Sequence, residues 1–66
     1  MIAVLKRGTT PEQKEHLIQW LNRMNLEVHV SDGAQVTVLG LVGDTSRVDM
    51  ELLTSLEIVE SVKRVS

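Results

Sequence analysis

The chain has 66 residues, no cysteine and a formal net charge of −2, with 7 basic and 9 acidic side chains dispersed along it. A chain this short makes one small domain and buries only about 60% of the surface it exposes when unfolded, so its margin of stability is thin. The lack of cysteine excludes disulfide staples, thiolate zinc sites and a cysteine nucleophile, and the mixed charge with one aromatic residue, Trp20, excludes the basic footprint and stacking platforms that bind nucleic acid.

The opening Met1-Ile2-Ala3-Val4-Leu5 is too short for a signal peptide or a membrane span and runs into Lys6-Arg7. A soluble, cytoplasmic chain without a membrane partner is expected. Ile2 to Lys6 is an apolar, partly β-branched run that reads as a strand ending at Arg7-Gly8. Thr10-Pro11-Glu12-Gln13 then carries a helix start, with Thr10 as N-cap, Pro11 where a missing N–H costs nothing, and Gln13 placed to close a capping box. Leu17, Leu21 and Met24 form the apolar stripe of that helix, flanked by Ile18 and Trp20, with the polar residues opposite. Asn25 can adopt the left-handed conformation that stops a helix.

Leu26 to Asp44 reads as a hairpin. In its first arm Leu26, Val28 and Val30 alternate with Glu27, His29 and Ser31, so His29 and Ser31 sit side by side on the polar face. Asp32-Gly33-Ala34 supplies the turn, with Gly33 expected at positive φ. The second arm is apolar on both faces, Val36, Val38 and Val42 pointing one way and Leu39 and Leu41 the other. Asp44, Thr45 or Ser46 can then cap a short helix in which Val48, Leu52 and Leu56 share a face, Leu53 widens the stripe and Met50 points away. Ile58 to Val65 is a last strand with β-branched residues on both parities, running to Arg64-Val65-Ser66 without a cap.

Strand, helix, strand, strand, helix, strand is the order of a ferredoxin-like βαββαβ unit in the α+β class, a four-stranded antiparallel sheet with both helices on one face. Right-handed crossovers place the first and third strands in the middle and the second and fourth at the edges. His29 and Ser31 therefore belong to an edge strand. The helices cover one side of the sheet only, so the apolar residues left on the other side mark a docking face, and a homo-oligomer is expected.

The segments Met1-Ile2-Ala3-Val4-Leu5-Lys6, Leu26-Glu27-Val28-His29-Val30-Ser31, Leu39-Gly40-Leu41-Val42-Gly43-Asp44 and Val59-Glu60-Ser61-Val62-Lys63-Arg64-Val65 together resemble the N-terminal ferredoxin-like, ACT-like regulatory domain of type I DAHP synthases. These enzymes condense phosphoenolpyruvate with erythrose 4-phosphate at the entry to the shikimate pathway of aromatic amino acid biosynthesis. The resemblance runs over the whole chain, residues 1–66, as a single domain. It implies that a metal-dependent TIM barrel follows in the parent enzyme and that two copies of the domain pair to hold an aromatic amino acid as feedback inhibitor. The family pattern of His, one residue, then Ser matches His29 and Ser31, which the resemblance assigns to the effector, with Leu39, Gly40 and Leu41 as candidate neighbours. The metal ligands and phosphate-binding arginines of the barrel have no counterpart here, so no cofactor is expected in this domain and the chain alone is not expected to catalyse the reaction.

Each signal also has a plainer explanation. Without the resemblance, His29 and Ser31 are solvated polar residues of an edge strand. His29, Ser31 and Asp32 are the residue types of a hydrolytic triad, but adjacent positions on one strand do not converge as such a site requires. His16 lies on a solvated helix face, and two distant histidines without a third ligand make poor evidence for metal. Gly40 and Gly43 lack the strand-then-helix context of a dinucleotide fingerprint and fit close backbone approach, a turn or room for a ligand. Trp20 beside Leu17 and Met24 belongs to the edge of the core. The alternative function is a ligand-free dimerisation or interaction module, and an imidazole beside a hydroxyl favours Tyr over Phe as the effector.

Overall fold

The computed structural model describes residues 1–65; Ser66, the last residue of the 1–66 span and of the Arg64-Val65-Ser66 end, lies outside the described residues. The elements are β1 (Ile2–Leu5), α1 (Pro11–Arg23), β2 (Glu27–Asp32), β3 (Thr37–Val42), a 3₁₀ turn (Thr45–Arg47), α2 (Met50–Ser55) and β4 (Val59–Lys63). The strands form one antiparallel sheet in the order β2-β3-β1-β4, with the first and third strands central as the crossover rule requires.

The helix start at Thr10 forms as the sequence dictates. Thr10 Oγ1 accepts from the Gln13 N–H at 3.1 Å while Gln13 Oε1 accepts from the Thr10 N–H at 3.0 Å, satisfying two donors that the first turn leaves without partners. At the other end Asn25 takes φ 62°, and the N–H of Leu26 returns to the Leu21 carbonyl at 3.3 Å. Leu17 and Leu21 are buried, whereas Met24 is the C-cap, one residue past the helix, and stays 37% exposed.

Alternation sorts the sheet into two faces. Ala3 and Leu5 on β1, Leu39 and Leu41 on β3, and Val59 on β4 point to the helices and are buried with Leu17, Leu21, Leu26, Val48 and Leu53. Val59 and Val62 both pack on this side although three residues apart, because the β1–β4 register shifts between Val4 and Leu5. That shift accounts for β-branched residues on both parities of the last strand. Among the described residues no polar or charged side chain is buried, so the interior is held by apolar packing alone.

Two expectations need correction. Gly33 is not at positive φ; its N–H donates to the Val36 carbonyl at 2.8 Å, and a Cβ there would lie 2.9 Å from the same oxygen. The tight four-residue loop excludes a side chain by close approach rather than by handedness. The second helix is also not continuous from Asp44. Asp44 caps only the 3₁₀ turn, the chain straightens at Val48, and Asp49 opens α2 by accepting from the Leu52 N–H at 3.1 Å. This restart resets the helical phase, so Leu53, not Leu52, enters the core: Leu53 is fully buried and Leu52 is 47% exposed.

Leu53→Ala should therefore lower unfolding stability by about 2–5 kcal/mol, whereas Leu52→Ala should change it by roughly 0.5 kcal/mol. Urea unfolding followed by Trp20 fluorescence measures both, and equal losses would contradict the restarted helix.

Candidate functional site

The face of the sheet away from the helices carries the candidate site. Pairing across it is regular: His29 lies opposite Gly40, Gly40 opposite Ile2, and Ile2 opposite Lys63, while the next row runs Ser31, Val38, Val4 and Ser61. Glu27 opposite Val42 begins a third row. His29 and Ser31 thus share this face, as expected from their spacing, together with Glu27 and with an apolar centre of Ile2, Val4, Val38 and Val42.

Gly40 matters by what it lacks. A Cβ built there would touch only the carbonyl oxygen of His29 at 3.7 Å and its Cβ at 3.8 Å, so the position is a notch beside the imidazole, with Val38 and Val42 as its walls along the strand. Leu39 and Leu41, grouped with Gly40 as candidate neighbours, point the other way: they are 0% and 3% exposed and belong to the core. Side chains one residue apart on a strand cannot both reach one surface. Of the three, Gly40 alone stands on the face of His29 and Ser31.

The His29 side chain is 65% exposed, and its Nε2 stands 3.5 Å from Glu27 Oε1 on the same face. Ser31 is also exposed. The imidazole and the hydroxyl can each donate or accept, so the pair can serve a ligand group that does both. Asp32 has the opposite parity and is engaged elsewhere, its Oδ1 accepting from Thr37 Oγ1 at 3.0 Å and from Lys14 Nζ at 3.3 Å. The three residue types of a hydrolytic triad therefore diverge.

The remaining candidates lie apart from this face. His16 and Trp20 border an open, mainly apolar hollow of about 370 Å³ between α1 and the segment leading into β4, with Leu17, Leu56 and Ile58 at its floor. Trp20 is half-buried there at the edge of the core. Gly43, at φ 133°, closes the end of β3 against Asn25, whose carbonyl oxygen would lie 3.1 Å from a Cβ, so close backbone approach and a positive φ both favour glycine there. Among the described residues no three His, Cys, Asp or Glu side chains are grouped to hold a metal ion, and no helix is long and apolar enough to cross a membrane.

Sequence reasoning missed Ile2, Val4 and Lys63 as members of this face. The alternation that groups Glu27 with His29 and Ser31 was visible, but no pattern within β1 or β4 says which parity faces the helices; the pairing of β1 with β3 and of β4 with β1 decides it.

Comparison with known proteins agrees with this architecture. Residues 1–66 match the family model of the DAHP synthase ferredoxin-like domain. Phospho-2-dehydro-3-deoxyheptonate aldolase of Thermotoga maritima is 42% identical over 65 residues, covering 98% of this chain and 19% of the relative. The crystal structure of phospho-2-dehydro-3-deoxyheptonate aldolase (DAHP synthase) from that organism is similar with a TM-score of 0.87 and 40% identity, again over 98% of this chain and 19% of the other. The chain thus spans 19% of the length of each protein it matches here. With sheet order, helix placement and a match along its full length in agreement, the chain belongs to the DAHP synthase ferredoxin-like domain family.

Proposed function

We propose that this chain is the regulatory domain of a DAHP synthase, which holds an aromatic amino acid, Tyr in preference to Phe, between two paired copies and so imposes feedback inhibition at the entry to the shikimate pathway. One observation carries this: His29 and Ser31 project side by side from the uncovered face of the sheet, next to the notch at Gly40. A phenol OH donates one hydrogen bond and accepts others, which an imidazole and a hydroxyl together can satisfy. Phe fills the same space but leaves the pair unpartnered.

The exposure of His29 also supports a site shared by two copies. On an open face a hydrogen bond to the ligand replaces one to water and gains little, and only a cover that excludes water makes the match or mismatch cost its full amount. A second copy supplies such a cover, since Ile2 and Val42 on this face are 38% and 52% exposed. The chain is then a homo-oligomer in the cytoplasm, without nucleic acid or membrane partners. In the full-length protein the catalytic TIM barrel and its divalent metal lie outside this domain, and effector-driven pairing of two domains blocks access to neighbouring barrels. The same exposed apolar residues favour a second reading, a dimerisation module without a ligand, which the measurements below separate from the first.

Isothermal calorimetry should show Tyr binding more tightly than Phe by about 1–3 kcal/mol, roughly 5- to 150-fold. His29→Ala should erase most of that preference. Equal affinities in the parent chain would remove His29 and Ser31 as the readout, and no binding of either amino acid would leave the ligand-free module.

Binding between copies must also strengthen their association, since linkage makes the coupling reciprocal. Sedimentation equilibrium at saturating Tyr should show a dimerisation constant raised by roughly 5- to 150-fold. Demonstrated binding without such a shift would place the site within one copy.

A further inference from the structure

Glu27 shares the strand face of His29 and Ser31, standing two residues before the histidine as Ser31 stands two residues after it. Opposite it on β3 is Val42, and among the described residues its one ionic contact is with His29, Glu27 Oε1 to Nε2 at 3.5 Å. The neighbouring strands bring no second charge to the imidazole. On this face β3 presents Gly40 between Val38 and Val42, β1 presents Ile2, and Lys63 on β4 lies three interstrand spacings of about 4.8 Å away, roughly 14 Å in all. On β2 itself Asp32 has the opposite parity and is held by Lys14 and Thr37.

A neutral imidazole has one N–H and one lone pair, and the partner of one nitrogen decides which is which. A carboxylate can only accept, so Glu27 calls for the proton on Nε2 and leaves the lone pair on Nδ1. The two side chains are 65% and 69% exposed and the contact is long, so on the open face water competes for it and the ring is held weakly. Covering the face removes that competition, and contacts of this kind tighten when a site closes over its ligand.

Resting on the reading of His29 and Ser31 given above, we infer that Glu27 is a positioning residue for the effector: it accepts from the His29 Nε2–H and so keeps Nδ1 as the acceptor for the phenol hydrogen, while the Ser31 hydroxyl donates to the phenol oxygen. Carboxylate, imidazole, ligand hydroxyl and serine then form one line in which every donor meets an acceptor. Without the carboxylate the ring is free to turn or to take its other tautomer, and Nδ1 is no longer held as an acceptor. A carboxylate on the far nitrogen serves the same end wherever an imidazole must offer one particular nitrogen to its substrate or metal. Phe has no hydroxyl to give Nδ1, so Glu27 acts on the affinity for Tyr and not on that for Phe.

Calorimetry of the 66-residue chain with Tyr and with Phe tests this at about pH 8, above the ordinary histidine range. Glu27→Ala should weaken Tyr binding by roughly 3- to 10-fold and leave Phe binding within about twofold of the parent. Glu27→Gln, which keeps an acceptor oxygen at the same reach, should retain most of the Tyr affinity. Nitrogen-15 NMR of the Tyr complex should find the His29 proton on Nε2 in the parent and averaged over both nitrogens in Glu27→Ala, with circular dichroism checking that each variant keeps the fold. Unchanged Tyr affinity in Glu27→Ala, an equal loss for Tyr and Phe, or a proton on Nδ1 in the parent complex would overturn the positioning role while leaving His29 and Ser31 as the readout. A parent chain without preference for Tyr would overturn that reading and the role of Glu27 with it.

Discussion

Two short helices can cover only one side of a four-stranded sheet, and most of what is distinctive about this chain follows from that limit. Strand β3 is apolar on both faces: Leu39 and Leu41 anchor the core while Val38 and Val42 look outward. The inward half is what holds a domain this small together, since no buried polar network or covalent link contributes among the described residues. The outward half is surface that folding leaves unsatisfied. A continuous apolar strip in that position is a standing invitation to a second surface, and it is against this strip that the candidate effector residues stand.

The energetics of the site depend on the same limit. His29, Ser31 and Glu27 are polar groups on an exposed edge strand, where water competes for every hydrogen bond and screens every charge. Discrimination by one hydroxyl requires that water be removed, and nothing within a single copy removes it. A regulatory site built on such a face has to be completed from outside, which is why the proposed function couples ligand binding to association. Gly40 contributes by absence, leaving a gap in the central strand beside His29 that a larger residue would close.

Membership of the DAHP synthase ferredoxin-like domain family places this chain beside proteins of which it covers 19% of the length. Chemistry and regulation are thereby divided between different parts of the chain in the proposed scheme. Among the described residues no His, Cys, Asp or Glu cluster could hold a metal ion, and in the proposed scheme the domain acts by moving or blocking something through its uncovered sheet face.

How much of this was legible in the 66 residues depended on the range of the interactions involved. The capping box at Thr10 and Gln13, the helix stop at Asn25, the strand order and the shared face of His29 and Ser31 are consequences of local stereochemistry, chain chirality and the two-residue repeat of a strand, and all could be read in advance. What the tertiary structure alone decided were matters of phase. The restart of α2 at Asp49 turned Leu53 inward in place of Leu52, the Gly33 loop closed by a tight contact with Val36 and not by a left-handed residue, and the pairing of β1 with β3 and β4 set which residues of those strands join Glu27, His29 and Ser31. Each changes by one residue which way a side chain points. In a strand or a short helix that is enough to exchange core for surface, and only the packing of the whole sheet against its helices selects between the two.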